Sequence, residues 1–352
     1  MALAALFSST AALAAPRQLT MNLRDARDNR ACLACHGDPA WAQANTPAGR
    51  PSLFVDAKAY AASTHAARTC TDCHQEITTV PHGTVEPVRC GRCHPTSSTS
   101  SGRVGAATLH EGAHARALRQ GKQAPTCARC HGSHDIRGPG DRRSRVHRTS
   151  IPTTCGECHS QEAAEYQDSV HGRALAANDT DAAVCIDCHG EHEQLLPTGD
   201  PASSAHPSQV PDTCSHCHES LPLTERHGLA TLRAATYRES YHGIAARFGD
   251  PAAANCASCH GFHDILPSSD PRSRIHRDNL AQTCGECHPG ATANFARGTV
   301  HLIPTPKEDA PVYWVRLFYR AFIALLMAQF VALIVLDLAA HRRERRRRGG
   351  SA

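Results

Sequence analysis

Two stretches of the chain are continuously apolar, and the long segment between them is polar with almost no strand periodicity. Residues 1–15, MALAALFSSTAALAA, are small and apolar and end before Pro16. Residues 321–340 are a second apolar run, and a 20-residue helix at about 1.5 Å per residue spans about 30 Å, the hydrocarbon thickness of a bilayer. The pattern predicts a signal-like segment, a mainly α central domain with much irregular structure, and one transmembrane helix near the C-terminus.

The N-terminal run has the apolar and cleavage regions of a secretory signal but lacks a positively charged start. Met1 is therefore either an internal start or the beginning of an atypical signal. Cleavage is expected near Ala14 or Ala15, and an uncleaved helix is the alternative.

The flanks of the C-terminal run predict how it sits in a membrane. Tyr313, Trp314 and Tyr319 lie where an interfacial aromatic belt belongs, and six arginines follow between 342 and 348. The positive-inside rule places the basic tail, 341–352, in the cytoplasm and the central domain on the other side. We expect a linker over 303–311 and a transmembrane helix over 312–340.

Two arginines at the outer end of this helix have two interpretations. Arg316 and Arg320 are four residues apart and share one helix face. They either reach lipid phosphates or contact a partner membrane protein.

The chemistry of the central domain lies in its cysteines. All 18 cysteines fall into nine Cys-x-x-Cys-His motifs, so none is left over for a disulfide framework or a lone nucleophile. Four-ligand zinc sites have no reason to require His directly after the second Cys nine times. The spacing is the signature of c-type haem attachment, in which two thiols hold the haem and the histidine binds its iron.

Over residues 30–301 the chain resembles the multihaem c-type cytochromes. The resemblance implies nine covalently attached haems c, and attachment outside the cytoplasm of a bacterium. The thiols that would hold them are Cys32, Cys35, Cys70, Cys73, Cys90, Cys93, Cys127, Cys130, Cys155, Cys158, Cys185, Cys188, Cys214, Cys217, Cys256, Cys259, Cys284 and Cys287. The proximal iron ligands would be His36, His74, His94, His131, His159, His189, His218, His260 and His288.

An internal repeat supplies candidates for the second axial ligand of each iron. Similar segments such as YQDSVHGRAL at 166–175 and YRESYHGIAA at 237–246 place a histidine in one frame. We call these five residues the first set: His65, His114, His171, His242 and His301.

Two further sets compete for the remaining irons. The second set lies eight residues before the first cysteine of a motif and comprises His82, His147, His206 and His276. The third set lies three residues after a motif histidine and comprises His134, His192 and His263. The first and second sets together give nine distal candidates for nine haems and are preferred. The third set is the alternative, and which histidine reaches which iron stays open.

The repeats also predict the organisation of the chain. A domain over 16–302 holds a lone first haem at 32–36 and two-haem repeats near 60–94, 108–159, 166–218 and 237–288. The loops DRRSRVHR at 141–148 and DPRSRIHR at 271–278 are expected to supply arginines to haem propionates.

The charge of the polypeptide says little about partners. The formal net charge is +4, and the propionates of nine haems would add about 18 negative charges. No nucleic-acid binding is predicted from the basic balance.

The resemblance implies electron transfer between a membrane partner, of cytochrome b or quinol-oxidising type, and periplasmic redox proteins. Two histidines on each iron leave no position for a substrate, so no catalytic residue is assigned. One alternative is an oxidoreductase that acts on a small nitrogen or sulfur oxyanion at one open haem. A direct quinol dehydrogenase is the second alternative, but in the quinol-oxidising multihaem family the anchor is N-terminal and here it is C-terminal. The protein is expected in the bacterial inner membrane as a single-pass protein with a periplasmic haem domain.

Overall fold

The computed structural model describes residues 21–22, 29–94, 112–192, 195–298, 300–307 and 309–349. The signal-like segment over residues 1–15 lies outside the described residues.

Short helices joined by irregular chain dominate, and about half of the molecule is helical. The described strands are β1 (Met21–Asn22) and β2 (Thr79–Val80), which pair antiparallel with Met21 opposite Val80. The helices of the first half are α1 (Arg30–His36), α2 (Pro39–Asn45), α3 (Ala57–Ala61), α4 (Cys70–Cys73), α5 (Ala113–Arg119), α6 (Cys127–His131), α7 (Ile151–Gly156), α8 (Ser160–Asp168) and α9 (Val170–Ala176). Those of the second half are α10 (Cys185–His189), α11 (Val210–His218), α12 (Leu221–Arg226), α13 (Arg233–Glu239), α14 (Tyr241–Arg247), α15 (Cys256–His260), α16 (Leu280–Gly285) and α17 (Ala310–Gly349).

Local sequence explains where these helices begin. The carboxylate of Asp38 accepts the Ala40 N–H at 2.8 Å and starts α2, and Asp56 caps α3 in the same way. Helices of four to nine residues are not stable alone, so α1 to α16 depend on contacts outside themselves.

Three of the Cys-x-x-Cys-His helices end at a glycine in the left-handed region. Gly132, Gly190 and Gly261 follow α6, α10 and α15 with φ of 82°, 73° and 86°. A side chain is strained there, so glycine allows the sharp exit from the helix. Each third-set histidine lies two residues after such a glycine, at a point where the chain no longer continues its own motif helix.

The described residues fall into two compact units. Unit 1 comprises Met1–Ala164 and Ala174–Pro197, and unit 2 comprises Glu165–Arg173 and Thr198–Ala352.

One backbone contact recurs in both units. In unit 1 the Thr64 N–H donates to the Ile136 carbonyl at 2.8 Å, and the Ala113 N–H donates to the Leu195 carbonyl at 2.6 Å. In unit 2 the Val170 N–H donates to the Ile265 carbonyl at 2.8 Å. Each donor directly precedes a first-set histidine, and each acceptor lies two or three residues after a third-set histidine. The contact therefore ties together the two histidine-bearing segments of each repeat.

The apolar core formed by protein side chains is thin. Among the described residues, the buried hydrophobic side chains are Ala42, Ile151, Leu175, Ala182, Val184, Val210, Ala234, Tyr237, Ala257 and Leu266. Four of these ten are alanines, so little large apolar surface is buried by the polypeptide itself. A chain of 352 residues normally buries far more.

Helix α17 stands apart in composition and burial. Its most apolar 18-residue window has a mean hydropathy of 2.5, and none of that window is buried. It is long and apolar enough to cross a membrane. At its start, Arg316 Nη1 donates to Glu239 Oε2 in α13 at 2.7 Å, so this arginine has a partner within unit 2. The helix begins at Ala310, close to the predicted end of the linker.

Replacing Gly243 by alanine should destabilise the protein by about 1–3 kcal/mol, because a β-carbon there would overlap the Tyr237 carbonyl oxygen. Gly172 meets the Tyr166 carbonyl in the same way one repeat earlier. Thermal unfolding of purified Gly243→Ala and Gly199→Ala proteins measures the difference, since nothing lies within 4 Å of a β-carbon at Gly199. Equal melting temperatures for the two variants would contradict the packing argument.

Candidate haem-binding sites

Eight motif histidines lie beside another histidine, with ring centroids 5.9 to 6.3 Å apart. In unit 1 the pairs are His36 with His82 (5.9 Å), His74 with His134 (6.2 Å), His94 with His65 (6.0 Å), His131 with His192 (5.9 Å) and His159 with His114 (6.3 Å). In unit 2 they are His218 with His171 (6.3 Å), His260 with His301 (6.2 Å) and His288 with His242 (6.1 Å).

This spacing matches the need of one iron held between two imidazoles. An imidazole nitrogen binds a transition metal at about 2.0 Å and lies about 1.1 Å from its ring centre, so two rings on opposite sides of one iron have centroids about 6 Å apart. The eight pairs therefore have the centroid spacing that one metal between two imidazoles requires.

The three candidate sets are placed differently. All five first-set histidines lie beside a motif histidine, and of the second set His82 does so. Two of the third set, His134 and His192, also lie beside motif histidines. The ninth motif histidine is His189, and the third member of the third set, His263, has its Nδ1 3.5 Å from Glu165 Oε2.

The other members of the second set bind their own loops. Nδ1 of His147 accepts the Thr149 N–H at 3.2 Å, Nδ1 of His206 accepts the Ser208 N–H at 3.3 Å, and Nδ1 of His276 accepts the Asp278 N–H at 3.3 Å. In the described part of the chain, none of the three rings contacts a motif histidine. An Nδ1 that accepts places the proton of a neutral imidazole on Nε2.

The paired histidines whose Nδ1 has a partner show the opposite arrangement. Nδ1 of His36 donates to the Leu53 carbonyl at 2.8 Å, and Nδ1 of His82 donates to the Gly83 carbonyl at 2.8 Å. A proton on Nδ1 leaves the Nε2 lone pair available to a metal, and such hydrogen bonds orient metal-binding imidazoles.

His301 also carries its proton on Nδ1, because a hydroxyl accepts a hydrogen bond from that nitrogen. Thr236 Oγ1 donates to the Leu232 carbonyl at 2.8 Å, so it accepts from Nδ1 of His301 at 3.1 Å. The proton of His301 is thereby held on Nδ1, away from His260.

Burial keeps many of the paired imidazoles neutral. It lowers the pKa of His74, His131 and His134 in unit 1 and of His218 and His260 in unit 2. Only a neutral imidazole can bind a metal. Nδ1 of His74 and of His192 is buried without a hydrogen-bond partner in the polypeptide.

The cysteines are reduced and exposed to different degrees. All 18 are free thiols, so each motif keeps both sulfurs for a covalent partner. Burial and the neighbouring Cys32 thiol raise the pKa of Cys70 to about 12, and burial followed by the Cys127 thiol raises the pKa of Cys90.

Thiols of consecutive motifs are neighbours within each unit. Hydrogen-bonded pairs are Cys32 with Cys70, Cys90 with Cys127, Cys155 with Cys185, and Cys214 with Cys256. Electrostatic contacts link Cys73 to Cys93, Cys130 to Cys155, and Cys259 to Cys284. The motifs therefore follow one another in space as in sequence, from the first to the sixth in unit 1 and from the seventh to the ninth in unit 2.

The loop arginines expected to bind propionates are paired with protein carboxylates. Arg145 Nη2 donates to Glu157 Oε1 at 2.5 Å, and Arg274 Nη2 donates to Glu286 Oε2 at 2.6 Å. Nε of Arg274 is buried without a partner, as is Nε of Arg148. Those two donors remain available to a bound anion such as a propionate.

The residues present fit a covalently attached haem at each described pair. Each pair combines two reduced thiols, two imidazoles at the spacing of one iron, and a surrounding polypeptide with little apolar core of its own. Zinc would bind both thiols and both imidazoles at one tetrahedral centre, which would bring the two ring centroids to about 5 Å, closer than the 5.9 to 6.3 Å found here.

Sequence reasoning missed the groups that orient the ligands. Thr236 and Glu165 each directly precede a repeat tyrosine, Tyr237 and Tyr166, and each contacts Nδ1 of a histidine elsewhere in unit 2. Their shared position in the repeat was the available signal. Nothing in the sequence marks the Leu53 carbonyl.

The chain has no match among family models, curated proteins or solved structures.

Proposed function

We propose that the protein is a membrane-anchored, multihaem c-type cytochrome that carries electrons between a membrane partner and periplasmic redox proteins. The observation that supports this most is the recurrence of histidine pairs at the spacing of one iron, eight times among the described residues. Each pair includes the histidine of a Cys-x-x-Cys-His motif.

The bound haems would supply one-electron chemistry, and the polypeptide supplies their positions and ligands. The two thiols of each motif would hold a haem covalently, and the two histidines of a pair would both bind its iron. Filled axial positions favour electron transfer over substrate binding. Nδ1 partners such as Leu53 and Thr236 hold the imidazoles in the protonation state that binds metal.

The order of the thiols in space supports electron transfer along a chain of haems. Because Cys32 is hydrogen-bonded to Cys70 and the Cys73 thiol is near enough to Cys93 to interact electrostatically, consecutive haems would be attached near one another. Short distances between neighbouring redox centres are what a chain of electron transfers requires. The hypothesis of electron transfer from haem to haem thus rests on the order of the motifs in space within each unit.

The membrane end of the proposal rests on helix α17. The helix would span the inner membrane with its arginine-rich end in the cytoplasm and the haem domain in the periplasm. His301 lies beside His260 and nine residues before Ala310, so the segment that leads into the anchor also reaches the motif at Cys256 and Cys259. A quinol-oxidising or cytochrome b partner in the membrane would exchange electrons with this part of unit 2.

Haem counting and low-temperature EPR test the function. The detergent-purified protein should carry nine haems by pyridine haemochrome, and its oxidised form should show low-spin ferric signals throughout. Titration with nitrite, hydroxylamine or a sulfur oxyanion should leave the spectrum unchanged.

A high-spin signal of about one haem per chain that shifts on adding an oxyanion would instead favour the oxidoreductase. A protein without covalent haem would overturn the proposal altogether.

A further inference from the structure

We propose that the third set supplies axial ligands, with His134 opposite His74 and His192 opposite His131. On this assignment, three second-set histidines, His147, His206 and His276, are loop-capping residues and bind no iron. The inference rests on the proposed function and specifies which residues bind the metal.

The rings of the two proposed third-set pairs lie at the same spacing as the rings of the other pairs. His134 lies 6.2 Å from His74 and His192 lies 5.9 Å from His131, centroid to centroid. First-set pairs such as His94 with His65 have the same spacing, 6.0 Å. The third-set pairs therefore have the same ring spacing as the pairs formed by the repeat histidines.

Backbone hydrogen bonds hold the first-set and third-set segments of each repeat together. The hydrogen bond from Thr64 to Ile136 fixes the segment of His65 against the segment of His134, and the bond from Ala113 to Leu195 does the same one repeat later. Each bond couples one first-set and one third-set histidine. A single structural unit thus presents two histidines, which suits a repeat that contains two haem motifs.

Unit 2 shows that the third set and His301 are the same kind of residue. Glu165 and Thr236 hold equivalent places before the repeat tyrosines. Glu165 lies 3.5 Å from Nδ1 of His263, and Thr236 lies 3.1 Å from Nδ1 of His301. Because His301 is beside His260, its counterpart His263 has the environment of a ligand as well.

Backbone strain marks one of the proposed ligands. His192 has φ of 52°, in the left-handed region that a histidine seldom adopts. Such strain persists only where the surroundings require one orientation. Here the helix exit at Gly190 and the contact of the chain with Gly112 constrain the segment.

His147 and His206 of the second set do not offer a nitrogen lone pair to an iron. Nδ1 of His147 accepts the Thr149 N–H and contacts the Thr149 hydroxyl at 2.7 Å, so the ring is used as an N-cap for the turn at Arg148–Ser150. His206 does the same with Ser208, whose hydroxyl is 2.7 Å from Nδ1. Nε2, the atom through which a ring in this orientation would have to bind iron, then carries the proton.

A buried serine explains why the second set recurs at one spacing. Ser144, Ser203 and Ser273 lie three residues before these histidines, and no more than 2% of any of them is exposed. The backbone carbonyl of each accepts the N–H of its histidine, at 3.2, 2.9 and 3.0 Å. The constant distance to the next motif therefore belongs to a recurring loop that leads into that motif.

Matched methionine variants test the assignment in the full, haem-loaded chain. His134→Met should convert one of the nine haems from bis-histidine to histidine–methionine or to high spin, and raise one reduction potential, because methionine ligation raises the potential. His147→Met should leave the EPR spectrum and the redox titration as in the wild type. Both samples are compared at equal haem content by pyridine haemochrome.

A second pair keeps the test decisive if His134→Met does not accumulate. His192→Gly opens one axial position, and added imidazole should restore the low-spin spectrum, which a residue with only a structural role would not permit. His206→Gly should be low-spin without imidazole. A changed iron in His147→Met or His206→Gly, or unchanged irons in His134→Met or His192→Gly, overturns the assignment. A wild-type protein lacking covalent haem overturns the proposed function instead, before any variant is compared.

Discussion

The chain produced without covalent haem is expected to have no cooperative unfolding transition. Its circular dichroism should retain mainly the helical signal of α17, whose 40 residues fold on their own in detergent. The short helices α1 to α16 should be largely lost. The haem-loaded protein should show a sigmoidal transition under the same conditions.

The physical reason is the thin apolar core. Burial of a large aliphatic or aromatic side chain stabilises a fold by about 1.5–3 kcal/mol, whereas ordering each residue's backbone costs about 1–2 kcal/mol. Among the described residues, only ten hydrophobic side chains outside α17 are buried, and several are alanines. Porphyrin faces would have to supply the missing apolar contact.

Urea titration followed by circular dichroism, with and without haem attachment and in one detergent, measures this effect. The haem-loaded sample is the control for the detergent. A sigmoidal transition in the haem-free chain would show that the polypeptide folds without its cofactors, and would remove the structural part of the haem proposal.

Removal of helix α17 should move the protein from the membrane fraction to the soluble fraction. A stop codon in place of Asp309 deletes the helix and retains His301. The eleven Leu, Ile, Phe and Val residues of 321–340, at about −0.3 to −0.6 kcal/mol each, contribute about 3–7 kcal/mol to insertion, so most of the protein should change fraction. Haem content per chain should stay the same.

The matched control is a stop codon in place of Gly350, which keeps all of α17. Fractionation after an alkaline wash, with haem absorbance as the readout, separates integral from peripheral protein. If the protein truncated before Asp309 still stays in the membrane fraction after the alkaline wash, another surface holds it to the membrane.

Sequence alone indicated the motifs, the helical character and the apolar C-terminal helix, because each depends on local pattern. The repeat frame also identified the five first-set histidines, all of which lie beside motif histidines. Their partners could not be read from the chain. His65, for example, lies beside His94 and not beside the motif histidine that precedes it, His36.

The choice between the second and third sets depended on tertiary structure. A constant spacing of eight residues is equally compatible with a ligand and with a loop cap, and His82 and His147 have different surroundings at that spacing. His82 lies beside His36, while His147 binds Thr149. A Thr or Ser lies two residues after His147 and His206, but Thr84 lies at the same offset from His82. This local signal therefore does not distinguish them, and only the structure does.

The pairing of residues along the chain has a consequence for biogenesis. His65 precedes His94 and His171 precedes His218, so a chain exported from its N-terminus presents these partners before the motif arrives. His134 follows His74 and His301 follows His260, so those motifs must wait for a later segment. On the proposed function, a haem at the motif of His74 or of His260 would gain its second histidine only after a later segment is exported. For His260 that segment carries His301, nine residues before the anchor begins, so this ligand would arrive as export halts at the membrane.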